Sequence, residues 1–425
     1  MRTGFTRRTG FTRAALPLAL LSLVATALTA CGGGGSGDGE GVTVWMYPVI
    51  SDPKANAAYW DGIERAFEKA HPGTPLTIEQ QPWDNRDQKL ATAFAGGKGP
   101  DVVLLNPDQV PQFATSGALR PVDKALSSST GAFLPAALKA MTQDGKVYAA
   151  PVYQTVTTTL YNKRLLTAAG ITTPPATWEE IKAAAPKLRA RKVAILDYSA
   201  GNEATLNLNF YPLLWQAGGR IFSEDGKKAA FNGPEGVTAL TFLTDLYRAG
   251  GVPRSALTNT NVLADQALGR QQAAMGFSAA LADTELAAKT WGAENVVVGA
   301  PLKGAKQVAF GVPGGLGISA RTGDPSGAEQ FVAFMTEPAQ IESLGKASGF
   351  FSPRTDVTVP SDSPYAEQYQ AALAHVFPGE PHPAARQLMG LLAPEIQAAL
   401  TGKKTPKQAL DAAADAADEL LARQR

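Results

Sequence analysis

The chain has 425 residues, 44% of them hydrophobic and 18% charged, a globular balance long enough for two or three domains at the usual ~100–200 residues each. Lys+Arg number 39 and Asp+Glu 38, a formal net charge of +1, so the basic field that holds proteins on nucleic acid is missing and no nucleic-acid partner is expected. One cysteine excludes an internal disulfide, and with the scattered His71, His375 and His382 it makes no zinc pattern, so neither metal nor cofactor is expected.

The first 30 residues carry Arg2, Arg7, Arg8 and Arg13 and no acid, with an uncharged apolar run over 14–28. That run is shorter than the ~20 residues a spanning helix needs, so it reads as a signal peptide (1–30) rather than a permanent anchor. It ends in Leu28-Thr29-Ala30-Cys31, which resembles the lipobox of bacterial lipoproteins. The resemblance implies cleavage before Cys31 and a lipid on its sulfur; the bland alternative is an incidental small residue near a cleavage site. Arg7-Arg8 without a hydrophobic residue at Thr9-Gly10 leaves Sec and twin-arginine export both open. Losing the leader removes four arginines and turns the net charge from +1 to −3. Residues 31–41 follow as a tether, with seven glycines in 32–41.

Residues 42–47 (Val-Thr-Val-Trp-Met-Tyr) read as a buried strand. Asp52-Pro53 then opens a helix whose apolar stripe runs Tyr59, Ile63, Ala66, Phe67, Ala70 until His71-Pro72-Gly73. A strand at 76–80, a helix over 87–95 and a strand at 102–105 follow, the alternation of a doubly wound α/β sheet. Thr177-Trp178-Glu179-Glu180 is a capping-box pattern. Residues 405–425 read as one amphipathic surface helix.

Gly99-Pro100-Asp101-Val102-Val103, then residues 145–151 (Gly-Lys-Val-Tyr-Ala-Ala-Pro) and Leu160-Tyr161-Asn162-Lys163, resemble bacterial extracellular solute-binding proteins of ABC importers. The similarity is to the carbohydrate-binding, maltose- and trehalose-binding-like group, and it continues in order to Gly349-Phe350-Phe351-Ser352-Pro353-Arg354. It implies a periplasmic-binding-protein-like α/β fold of two doubly wound lobes with three hinge crossings, placed near 153–157, 298–301 and 350–353. The N-lobe would comprise 42–153 plus 301–350 and the C-lobe 158–298 plus 352–425. It also implies a monomeric receptor, lipid-anchored on the extracytoplasmic face, that binds a carbohydrate and hands it to ABC transporter permease subunits.

Enzyme signatures are missing: no phosphate loop, no G-x-S-x-G elbow, no H-E-x-x-H. Residues 315–320 match G-x-G-x-x-A, but Gly323-Asp324-Pro325 follows where a dinucleotide site needs a helix, so the segment reads as a turn leading into a strand. The chain is therefore expected not to be an enzyme. A surface glycoside hydrolase, which needs only a pair of carboxylates, stands as the enzymatic alternative, and a non-sugar solute such as a glycerophosphodiester as the other.

Sugars present hydroxyls and weakly apolar faces, so a cleft should combine carboxylate, amide and guanidinium groups with aromatic plates. Asp108 follows the strand 102–105 where α/β sheets meet ligands, and matches an acid of the resembled group; its alternative is an N-cap on the short helix leading to Phe113. Gln109 stands where maltose binders carry Arg. Tyr153 matches a ligand tyrosine, with Gln154 and Thr155 beside it, or these three are a structural hinge strand. Tyr47 and Trp83 are candidate aromatic plates at strand ends. Asn207, Asn209 and Tyr211 belong to the second lobe's contact segment, and alternate residues cannot all face the ligand. Gly314 and Gly315 offer backbone N–H groups or a plain turn. Phe350, Phe351 and Arg354 flank the third crossing, Arg354 with a structural ion pair as its alternative. Ser278-Ala279-Ala280-Leu281 lacks the Trp that many relatives place there.

Overall fold

A computed structural model describes residues 41–201, 205–260 and 262–423; the leader and Cys31 lie outside the described residues. Strand Val42–Met46 pairs in parallel with Leu76–Gln80 on one side and Val102–Leu105 on the other. Between the first two runs helix Pro53–Ala70. Asp52 caps it by accepting from the Ala55 N–H at 2.8 Å, and the His71 N–H closes onto Phe67. Its buried face is Asn56, Trp60, Ile63 and Phe67; Tyr59 is half-buried against the same core beside Trp60, while Ala66 and Ala70 face water.

The first sheet runs Leu76–Gln80, Val42–Met46, Val102–Leu105, Pro313–Ser319, Leu119–Arg120, with Ala149–Gln154 also on Pro313–Ser319. Strand Pro313–Ser319 is antiparallel to Val102–Leu105. Gly315-Leu316-Gly317 thus lies inside a strand and is not the expected turn. The second sheet runs Val296–Gly299, Thr158–Asn162, Ala273–Ala279, Ala194–Leu196. Each sheet carries its own core. Val44, Phe67, Leu104 and Phe331 are among the first, Leu196, Phe210, Leu243 and Leu392 among the second. The last helix, Pro406–Arg423, buries Leu410, Ala413, Ala417 and Leu421 on the second core.

Two chain passages between the lobes run side by side. The Thr155 N–H donates to Val312 O and the Thr157 N–H to Phe310 O, both at 2.9 Å. The second passage therefore lies at 310–312, later than 298–301, because Val296–Gly299 is still a strand of the second sheet and Leu302 packs in its core. Phe351 pairs with Gln154 beside the first passage, yet the chain does not leave the first lobe there. The Thr355 N–H still reaches Ala132 O at 2.7 Å, and the return to the second lobe comes with Tyr365, packed on the cluster of Leu160 and Trp291, and Tyr369, clustered with Val156 and Leu281.

Candidate functional site

The lobes meet through charge. Asp108 follows the first-lobe strand Val102–Leu105, and its Oδ2 accepts from Asn207 Nδ2 of the second lobe at 2.9 Å. The same oxygen lies 3.0 Å from Nε of Arg386, in the first turn of second-lobe helix Ala385–Leu400, and Arg386 also stands 3.5 Å from Asp87. Asp108 is not a helix cap: the N-cap position belongs to Gln109, without a side-chain capping bond. Its Oδ1 is buried and has no protein partner, as is the hydroxyl of fully buried Tyr211. Burial alone would depress the Arg386 guanidinium, but the Asp108 and Asp87 carboxylates more than offset it and hold it above its ordinary value.

An aromatic and cationic stack flanks this contact. Tyr47 stacks on Trp83 with centroids 4.9 Å apart, and the Arg86 guanidinium sits 4.5 Å from the Tyr47 ring centre and 5.0 Å from that of Trp83. Asn85 immediately before Arg86 adopts a left-handed backbone, φ 54°, an uncommon conformation that turns the chain into helix Arg86–Ala95. Burial, then the charge of Arg386, lowers the Arg86 pKa. Burial raises that of Tyr47 despite Arg86 beside it. Trp83 keeps 44% of its surface exposed, so it is an open plate, whereas Tyr47 is covered.

Several expected ligand groups are committed elsewhere. Gln109 is fully enclosed, accepting from Arg86 and the Asn106 N–H and donating to Asp87; it positions that cluster and reaches no cleft. Gln154 and Thr155 stitch the hinge: Thr155 Oγ1 donates to Val312 O, and Gln154 Nε2 donates to Thr155 O. Arg354 forks onto Asp356 with two 2.8 Å bonds, donates to Thr336 O and lies over Phe133, so the structural ion pair holds there. Gly314 is a strand residue opposite Tyr153, and a Cβ on it would fall 1.9 Å from that ring; it makes room rather than offering N–H groups. Gly315 is likewise paired in mid-strand. Tyr153 is buried, its hydroxyl pushed up to about 12 by burial, with its ring 4.7 Å from Phe350. Phe350 and Phe351 do line an interlobe cleft of about 1000 Å³, together with Asp52 of the first lobe and Leu281 and Asp283 of the second. Asn209, buried, donates to Thr205 O and lines a smaller second-lobe cavity with Asp197 and Ser278.

The sequence reading omitted Arg86, Asp87, Asp197, Asp283 and Arg386. A signal existed for two of them: both arginines open helices, where the positive end of the helix dipole disfavours a cation, so some other partner must hold them there. Among the described residues no group of three or more His, Cys, Asp or Glu is arranged to hold a metal ion.

Two α/β lobes, each with its own core, closing a polar cleft between them define a ligand-capturing receptor. Residues 51–342 match the bacterial extracellular solute-binding proteins, and the chain belongs to that family. The family captures solutes and does not catalyse, which sets the hydrolase alternative aside. A binding protein of Brucella abortus is 31% identical over 211 residues, 49% of each chain. The diacetylchitobiose-binding protein of Streptomyces coelicolor is 29% identical over 196 residues, 45% of this chain and 43% of that one. The chain thus spans about half the length of these curated relatives. A Thermotoga lettingae ABC transporter solute-binding protein solved with α-D-tagatose shares the fold, with a TM-score of 0.77 at 24% identity over 89% of this chain and 99% of that one.

Proposed function

We propose that the protein is an extracytoplasmic receptor that captures a sugar, di- or oligosaccharide in size, and delivers it to the permease of an ABC transporter. The observation that carries this reading is the constellation at the lobe contact: a carboxylate oxygen of Asp108 and the Tyr211 hydroxyl, both buried without partners, beside the open plate of Trp83. Hydroxyl-accepting groups next to an aromatic face suit a sugar ring. The names of the Streptomyces and Thermotoga proteins support the same class. A phosphodiester is less favoured, because Arg386 already faces two carboxylates. A thermal-shift screen against neutral mono- to tetrasaccharides and glycerophosphodiesters tests it. The right sugar at 100 times Kd should stabilise the fold by about 2.7 kcal/mol. Stabilisation by a phosphodiester and by no saccharide would reject the sugar reading.

The lipid tether at Cys31 belongs to the same proposal and rests on the 28–31 motif and the Gly-rich spacer. No helix among the described residues is long and apolar enough to cross a membrane. Replacing Cys31→Ser should move the protein from the membrane fraction to the soluble one. Membrane retention of that variant, with no lipid label on the unaltered protein, would remove the tether.

A further inference from the structure

The second lobe holds a cavity of about 100 Å³ at the ends of its strands Ala194–Leu196 and Ala273–Ala279, and no Lys or Arg lines it. Two carboxylates do, Asp197 and Asp283. Asp197 is 6% exposed and Tyr198 3%. Asp197 Oδ1, the Tyr198 hydroxyl and Ser278 Oγ are buried there without protein partners. Backbone amides of Ala267, Leu268 and Tyr198 face the Asp197 carboxyl, yet burial outweighs them and pushes its pKa up to about 7. Burial likewise pushes Asp283 up to about 6 against one N–H from Ala280. Asp283 also lines the large interlobe cleft, where Asp52, Glu285 and Asp362 face only Lys289 and Lys346, the latter already paired with Glu342 at 2.6 Å. The remaining titratable neighbours, Tyr198, Glu285 and Tyr369, add no positive charge.

A buried carboxylate without a cation is costly, and a neutral hydroxyl relieves only part of that cost. An ammonium group is compact, carries three donors and neutralises the site. We propose that this cavity receives a protonated amine of the ligand, so that the receptor prefers amino sugars bearing a free amine to their neutral isosteres. The inference rests on the sugar reading above and specifies the substrate class within it. The pH dependence follows. Between pH 7 and pH 5 Asp283 and Asp197 take up protons while the amine stays charged, so the preference for the amine shrinks as pH falls. A neutral sugar, which can accept a hydrogen bond from a protonated Asp197, does not weaken in that direction.

Titration calorimetry on the full chain with two matched pairs, glucosamine against glucose and chitobiose against cellobiose, tests this at pH 7 and pH 5. The aminated member of a pair should bind at least tenfold tighter at pH 7, and the ratio should fall severalfold at pH 5. Asp197→Asn, which keeps an oxygen for the backbone amides, should collapse the ratio toward one. Asp283→Asn keeps the acceptor for the Ala280 N–H and serves as an independent variant should the first misfold. Equal affinity within a pair at pH 7, or an undiminished ratio in both variants, overturns the amine site alone and leaves the sugar receptor standing. If the saccharide screen is also silent, the sugar reading and this one fall together.

Discussion

Arg386→Ala should lower affinity for the captured ligand by two to three orders of magnitude and leave the ligand-free protein more open. Arg386 is the second lobe's only charged contact to both Asp87 and Asp108 among the described residues. The Arg386 and Asp108 side chains are just 19% and 13% exposed. Removing one partner of such a pair leaves an uncompensated buried charge, which costs about 3–5 kcal/mol. The cost falls on the arrangement in which the lobes touch, because a separated Asp108 regains water. A ligand that must hold the lobes together has to supply that difference, and about 1.4 kcal/mol is tenfold in affinity. Arg386→Lys should lie between, since it keeps the charge but loses the fork that addresses two carboxylates. Calorimetry and small-angle scattering read both effects. Unchanged affinity together with an unchanged radius of gyration in Arg386→Ala would show that the contact does not govern closure.

The same contact explains which parts of the molecule were legible in the sequence. Strands and helices over 42–105 announce themselves through local periodicity, and the parallel register of Val42–Met46 with its neighbours follows from that alternation. Asp108 stands out in the sequence because the end of a strand is a place any α/β sheet offers to a ligand, and the structure places it at the contact between the lobes. Its partners Asn207 and Arg386 are distant in sequence and become neighbours only when the lobes meet. Periodicity carries no information about such pairings. For Arg354 the sequence leaves a cleft role and a structural ion pair open, and its partner two residues away, Asp356, makes the ion pair the one that holds. Gly314 is neither the N–H donor nor the plain turn the sequence suggests; its role is steric, set by the Tyr153 ring on the paired strand. The second passage was placed too early because the extended segment after Val296–Gly299 looks like a hinge but packs Leu302 into the second core.

Asp197→Asn should raise the melting temperature of the ligand-free protein near pH 8 and flatten its dependence on pH. An aspartate whose pKa rises on folding from 3.8 to about 7 binds its proton more tightly folded than unfolded. Its contribution to stability is therefore fully present below about pH 4 and is lost as pH rises through about 7. Three pKa units correspond to about 4 kcal/mol at most. The melting temperature of the unaltered protein should climb by several degrees from pH 8 to pH 5. Asp283, raised from 3.8 to about 6, acts in the same sense over the lower part of that range. Exposed carboxylates whose pKa values are lowered, Asp225 through its bond from Ser223 and Asp356 through its bond from Arg354, oppose this only on titrating below about pH 4. His382, whose pKa burial lowers from 6.5, works in the opposite sense inside the window from pH 5 to pH 8, so the Asp197 contribution is read as the difference between the parent and Asp197→Asn. In Asp197→Asn the amide oxygen still faces the backbone N–H groups while no charge has to be buried, so most of the slope should vanish. A variant that melts lower at pH 8, or one that keeps the full pH slope of the parent, would mean that the charged form of Asp197 is compensated in the folded state and its pKa is not raised.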